Sequence, residues 1–161
     1  MGQQQLLLLV LGIVIVGLAV VVGIDAFERE SRKLEVDLLY QEAVNIAGDI
    51  VAWKKKPAAM GGGDESVSIN EFRFAQAGYE ETNEEGGEAN TDRMWRKVYV
   101  SPASRPSLLL RSKRHEDIRV RLYLYGPDTA CFVGQVSYRQ PDNSWSYTEA
   151  PEEPAACEVD W

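Results

Sequence analysis

Nineteen consecutive residues, Leu6 to Ile24 (LLLLVLGIVIVGLAVVVGI), carry neither a charge nor a hydrogen-bonding side chain. As a helix, about 20 such residues cross the roughly 30 Å hydrocarbon core of a bilayer. The average composition, 26% charged residues with a net charge of −8, conceals this run, because nearly all the charge follows it. A run like this has three uses. A cleavable secretory signal has a basic start, a shorter apolar core and a small-residue cleavage site. No Lys or Arg precedes Leu6, and the run leads straight into Asp25-Ala26-Phe27-Glu28. The two remaining uses are a permanent membrane anchor and a stem that leaves lipid to be buried among copies of itself.

The next segment bears on that choice. From Asp25 to Lys56 there is no proline, and Gly48 is the only glycine. Val36, Leu39, Ala43, Ile46, Ile50 and Trp53 recur at spacings of three and four, the period of one helix face. Tyr40, Val44, Ala47 and Val51 widen the stripe, while Glu35, Asp37, Glu42, Asn45 and Asp49 fill the remaining, solvent-side positions. The spacing predicts an amphipathic helix whose apolar face is built for burial. Lys54-Lys55-Lys56 suit a helix C-terminus, Pro57 stops the helix, and Gly61-Gly62-Gly63 release the chain. Taken as one helix, Gln3 to Lys56 would extend about 80 Å at 1.5 Å per residue. Four segments are therefore expected: an apolar half-helix at 1–24, an amphipathic half-helix at 25–56, a Pro/Gly turn at 57–65 and a β-rich domain at 66–161.

Within that last segment, Val67, Ile69, Phe72 and Phe74 suggest one or two strands, and Met94 to Val100 another. Ile118 to Tyr125 (IRVRLYLY) alternates apolar with polar or aromatic residues, the pattern of a half-buried strand. Gly126-Pro127-Asp128 then turns the chain into a returning strand, Ala130 to Tyr138. Ser144 to Thr148 is expected to add an edge strand, and residues 80–92 (EETNEEGGEANTD) to form a polar, acidic loop. The predicted class is α+β: a long N-terminal helix whose second half covers a small antiparallel sheet.

Cys131 and Cys157 are the only cysteines. They form either a bridge pinning the tail PEEPAACEVDW to the sheet or two separate thiols. An exported domain favours the bridge, because disulfides persist in oxidising compartments. Two cysteines and one histidine are too few for a closed zinc site. His115, in Arg111-Ser112-Lys113-Arg114-His115, reads as part of a solvated turn. The chain holds no G-x-S-x-G, no H-E-x-x-H and no phosphate-cradling glycine loop. No catalytic activity, metal or cofactor is expected. The acidic balance argues against a nucleic-acid partner, which rewards a basic surface.

A long helix, apolar first and amphipathic second, followed by a small β-rich domain, resembles a type IV pilin or pseudopilin. The opening MGQQQLLL and the later Lys56-Pro57-Ala58-Ala59-Met60-Gly61-Gly62-Gly63 resemble a small pilin-like bacterial subgroup. Many pilins also carry a C-terminal disulfide loop. The resemblance implies a subunit that sits in the inner membrane, is handled by pilus assembly machinery and joins copies of itself in an extracellular filament. The stems would then pack in the filament core, using Leu6, Leu9, Val10, Ile13, Val14, Gly17, Val20, Val21 and Ile24. Ala19 and Gly23, four apart, would let helix backbones approach closely. Pilin precursors carry a basic leader and an early acidic residue. Here Met1-Gly2 has no base, the first acid is Asp25, and Gln3, Gln4 and Gln5 offer only uncharged hydrogen bonds.

Charge is unevenly spread. Arg93, Arg96, Lys97, Arg105, Arg111, Lys113, Arg114, Arg119 and Arg121 crowd one segment, and acids crowd residues 80–92, Glu84 and Glu85 among them, and 149–160. Contacts between such segments of neighbouring subunits would set register and weaken in salt. The alternative function is a single-span membrane protein carrying a small exported binding or scaffold domain.

Overall fold

The computed structural model describes residues 2–63, 69–82, 88–90, 94–99, 106–146, 151–152, 154–155 and 157. The chain divides into two compact units, 1–34 and 35–161. Helix α1 (Gly2–Lys55) supplies all the described residues of the first unit and opens the second. Its last turn holds Lys54 and Lys55, whose positive charge favours a helix C-terminus. Pro57 follows, and Gly61 takes φ 76°, a left-handed conformation that glycine adopts without a Cβ penalty.

In the second unit, five strands form one meandering antiparallel sheet. They are β1 (Glu88–Asn90), β2 (Met94–Tyr99), β3 (Ser107–Ser112), β4 (Ile118–Leu124) and β5 (Phe132–Tyr138), lying side by side in sequence order. The fold is the α+β arrangement that the periodicities predict. On β4, Ile118, Val120, Leu122 and Leu124 are fully buried. They share one core with Leu108 and Leu110 of β3 and with Leu39, Ala43, Ile46 and Ile50 of α1. Register explains the match: Leu108 pairs with Leu122, and Leu110 with Val120, so each strand's inward set meets its neighbour's. At β5 the helix packs directly over Gly134, where an added Cβ would lie 2.1 Å from the Tyr40 ring. Glycine there lets the helix settle onto the sheet.

Several expected elements take other forms. Ile69–Glu71 and Phe74–Ala77 are short 3-10 turns rather than strands, and Val67 lies outside the described residues. Their apolar side chains still face the core: Ile69, Phe72 and Phe74 are buried without pairing to the sheet. Strand β3 was not expected, since Leu108-Leu109-Leu110 lacks alternation. Its outer residue Leu109 is only half-buried while its neighbours are buried. β1 lies inside the acidic segment and buries only Ala89 among its described side chains. Cys131 occupies a 3-10 turn (Thr129–Cys131) just before β5 rather than the strand itself. Trp145 makes a single bridge to Arg139 in place of an edge strand, and Tyr147 and Thr148 lie outside the described residues.

Cys131 and Cys157 are joined by a disulfide across 26 positions of sequence. The bridge packs with Tyr123, Tyr125 and Val133 on the side of the sheet away from α1, and the Tyr125 hydroxyl donates to the Pro151 carbonyl. Crosslinking a loop of this length removes unfolded-state entropy worth about 3 to 4 kcal/mol. Replacing both cysteines by serine should therefore lower the unfolding free energy of detergent-solubilised protein by that amount. The parent under reducing conditions should fall equally. A loss under about 1 kcal/mol would show that the tail's closure constrains little.

Candidate functional site

Among the described residues, the features of chemical interest lie on surfaces. In the first unit, fifteen large apolar side chains between Leu6 and Ile24 are 51% to 70% exposed. Among them are Leu6, Leu9, Val10, Ile13, Val14, Val20, Val21 and Ile24. Gly12, Gly17 and Gly23 lie open too, with nothing within 4 Å of an added Cβ. Gln3, Leu6, Leu7, Val10, Leu11 and Val14 line one shallow apolar face. Their spacing of three and four is the seam by which helices pack. The stretch is long and apolar enough to cross a membrane. Fully burying fifteen such side chains is worth on the order of 20 to 45 kcal/mol relative to water. That exceeds the whole stability of a typical domain, about 5 to 15 kcal/mol. Lipid or other apolar protein surface must therefore cover this segment.

The second unit covers its own apolar residues. Leu39, Ala43, Ile46 and Ile50 are inaccessible to solvent, Trp53 nearly so, and Val36 packs against them half-buried. Asp25 to Leu34 remain largely exposed, Phe27 at 82%, so the buried stripe begins only at Glu35. Glu28 and Arg32 form an exposed i,i+4 pair at 3.5 Å, of small energetic weight.

Glu35 itself departs from expectation. Assigned by its charge to the solvent side, it is 3% exposed. It stands four residues before Leu39, at the next position of the buried stripe. The Ser112 hydroxyl, at the end of β3, donates to its carboxylate at 2.7 Å. Ser112 Oγ in turn accepts the backbone N–H groups of Arg114 and His115 at 3.1 and 2.9 Å. One buried carboxylate thus ties α1 to the turn between β3 and β4. His115 lies in that turn but is half-buried, and its Nε2 is inaccessible without a hydrogen-bond partner among the described residues. Glu35→Leu should destabilise the protein by about 1 to 3 kcal/mol, since it strands the buried Ser112 hydroxyl. Glu35→Gln, whose amide oxygen still accepts that bond, should lose less. Equal losses in denaturant melts would show that the hydrogen bond is not the cause.

The basic residues gather where β3, β4 and β5 begin or end together. Because alternate β4 residues face α1, Arg119 and Arg121 lie on the opposite face. Arg111 pairs directly with Arg119 across β3 and β4. Arg119 is 8% exposed, its guanidinium 4.1 Å from the Trp145 ring centroid, and Arg139 reaches the same ring at 5.9 Å. Cation–π contact of this kind holds both guanidinium groups against the indole. Lys113 and Arg114 are exposed in the β3–β4 turn. The expected acidic partners Glu84 and Glu85 lie outside the described residues. Of their neighbours, Glu80 is exposed, and Glu81 accepts the Ala75 N–H at 2.8 Å.

A small cleft of about 200 Å³ lies among Asp49, Trp53, Lys56 and Gln76, beside the C-terminus of α1. Among the described residues, no three His, Cys, Asp or Glu side chains are placed to hold a metal ion. Sequence reasoning missed Glu35, Ser112 and Trp145. Only Glu35 carried a usable signal, its helical spacing from Leu39. No protein-family profile, curated protein or solved structure matches the chain.

Proposed function

We propose that this chain is the structural subunit of an extracellular, type IV pilus-like filament. It waits in the cytoplasmic membrane through Leu6–Ile24 and assembles, with the help of a pilus assembly machinery, by burying that stem among the stems of its neighbours. One observation carries the reading: an apolar surface of fifteen large side chains, open along the first unit, precedes a compact unit that satisfies its own core. The seam spacing of Gln3, Leu6, Leu7, Val10, Leu11 and Val14 suits helix-on-helix contact as well as lipid. The Cys131–Cys157 disulfide suits a domain outside the reducing cytoplasm.

Electron microscopy of sheared surface material, with mass spectrometry of the subunit's first residues, tests the reading. Fibres containing this chain are expected. A chain found only as single copies in the membrane would overturn the proposal in favour of an anchored, exported binding or scaffold domain.

A further inference from the structure

The outward side of α1 in the second unit is not built like a helix face turned to water. Between Glu35 and Ala52 seven residues of α1 are exposed, and of these only Asp37 is charged. A solvated helix face ordinarily carries charge along its length. Here Leu38, Gln41, Asn45, Gly48 and Ala52 are all exposed and recur at spacings of three and four, the period of a seam by which helices pack.

Gly48 has no internal reason to be glycine. Nothing lies within 4 Å of a Cβ added there, so nothing in the described chain requires the space. In a helix interior glycine is less favourable than alanine, because it has more backbone freedom to lose. A cost borne without an internal reason points to close approach from outside the chain. Ala52, four residues on, completes a small-xxx-small pair that lets a second helix lie close.

Charge and chemistry select the occupant. The same face of a second copy is disfavoured, because it would bring the bordering Asp37 and Asp49 of both copies together. The stem of a second copy raises no such conflict. Gln3, Leu6 and Val10 lie on its shallow apolar face, uncharged and exposed. Their spacing, three then four, matches that of Asn45, Gly48 and Ala52. With the two helices parallel, Leu6 falls over Gly48 and Val10 over Ala52, large side chains over small ones. Gln3 then falls beside Asn45. Each amide is both donor and acceptor, so the two pair reciprocally. Under an apolar side chain Asn45 would instead be buried without a partner. An amide pair in an otherwise apolar seam fixes register in this way in coiled coils.

We infer that Asn45, Gly48 and Ala52 of one copy seat the first turns of another copy's stem, with Gln3 setting the register. This inference rests on the filament reading and names a contact within it. Each pairing joins positions 42 apart in sequence, so copies in equal register cannot make it. Two different patches meet, so the contact does not close on itself as a two-fold dimer does; repeated, it makes a ring or an open helical array. The later turns of the stem are left to neighbouring stems.

Gly48→Leu in the full-length chain tests this. The leucine enters open space and replaces a poor helix former with a good one. The unfolding midpoint in detergent should therefore hold or rise, with the Cys131–Cys157 bond intact. Fibre yield after detergent removal should nevertheless fall about tenfold or more, the scale of an overpacked contact. Ala52→Leu should behave alike. In a second experiment a diazirine amino acid close to valine in size replaces Val10. On illumination of fibres it should capture α1 of another copy near Ala52, read by mass spectrometry, and should not do so in membranes before assembly. Folded Gly48→Leu and Ala52→Leu chains that assemble like the parent would overturn the seat and leave the filament reading standing. So would capture confined to other stems. A parent that forms no fibres overturns the filament reading itself, and the seat with it.

Discussion

Replacing Val14 by arginine is expected to abolish fibre formation while leaving the 35–161 unit folded. Val14 lies near the middle of the apolar run, 52% exposed and on the shallow face with Leu7, Val10 and Leu11. At the centre of a bilayer helix an arginine costs about 2.5 to 3.5 kcal/mol on insertion scales, where valine is slightly favourable. Membrane insertion should therefore weaken by roughly a hundredfold to several hundredfold. Lipid gives a long cationic side chain partial relief, because it can snorkel toward the headgroups. A core of packed stems gives no such exit, and an unpaired charge buried among apolar side chains costs more still. Fibre yield should consequently fall further than the membrane-bound fraction does. Val14→Leu, which keeps the surface apolar, should assemble like the parent. The measurement pairs fibre counts with fractionation, and a non-reducing gel reports whether Cys131–Cys157 is intact. Fibres of Val14→Arg at parental yield would remove stem burial as the basis of assembly. Equal loss of fibres and membrane binding would point to insertion alone as the failing step.

The parts of the fold that were legible in sequence are those governed by a single period. Leu39, Ala43, Ile46 and Ile50 recur at helical spacing because one face must be buried, and all four are buried. Ile118 to Leu124 alternates because β4 has one face on the core and another bearing Arg119, Arg121 and Tyr123, and that strand lies where it was expected. β3 was hidden because three successive leucines erase the alternation, even though only Leu108 and Leu110 reach the core. Glu35 was misplaced because charge outweighed position in the reading. Its burial depends on Ser112, 77 residues away, and no local pattern announces a partner at that distance. Trp145 was read as a strand residue. Its actual contacts, with Arg119 and Arg139, arise from the turn at Gln140–Ser144, where Asn143 adopts φ 68°.

Phe72→Ala should be the most damaging single truncation in the segment between α1 and the sheet. This segment looked like strand because apolar residues are spaced through it, yet its work is done by aromatic edges. Phe72 is 1% exposed and meets Trp53 edge-to-face at 5.5 Å and Phe74 at 5.6 Å. Phe74 continues the series to Tyr79 at 5.9 Å, and the Tyr79 hydroxyl donates to Asp49 on α1 at 2.9 Å. The chain leaving α1 is thus folded back onto the helix's last turns by a run of T-shaped contacts, each worth about 0.5 to 1.5 kcal/mol beyond the area it buries. Truncation removes the ring, leaves a cavity beside Trp53 and Phe74, and should cost about 3 to 5 kcal/mol. Set against a typical domain stability of about 5 to 15 kcal/mol, that is a large fraction. Denaturant unfolding in detergent should show a lowered midpoint with an unchanged slope, the sign of lost stability rather than altered compactness. Phe72→Leu, which refills most of the volume, should lose less, and Tyr79→Phe only the roughly 0.5 to 1.5 kcal/mol of one hydrogen bond. If Phe72→Ala cost no more than Tyr79→Phe, the aromatic series would not be what holds the connection to the helix.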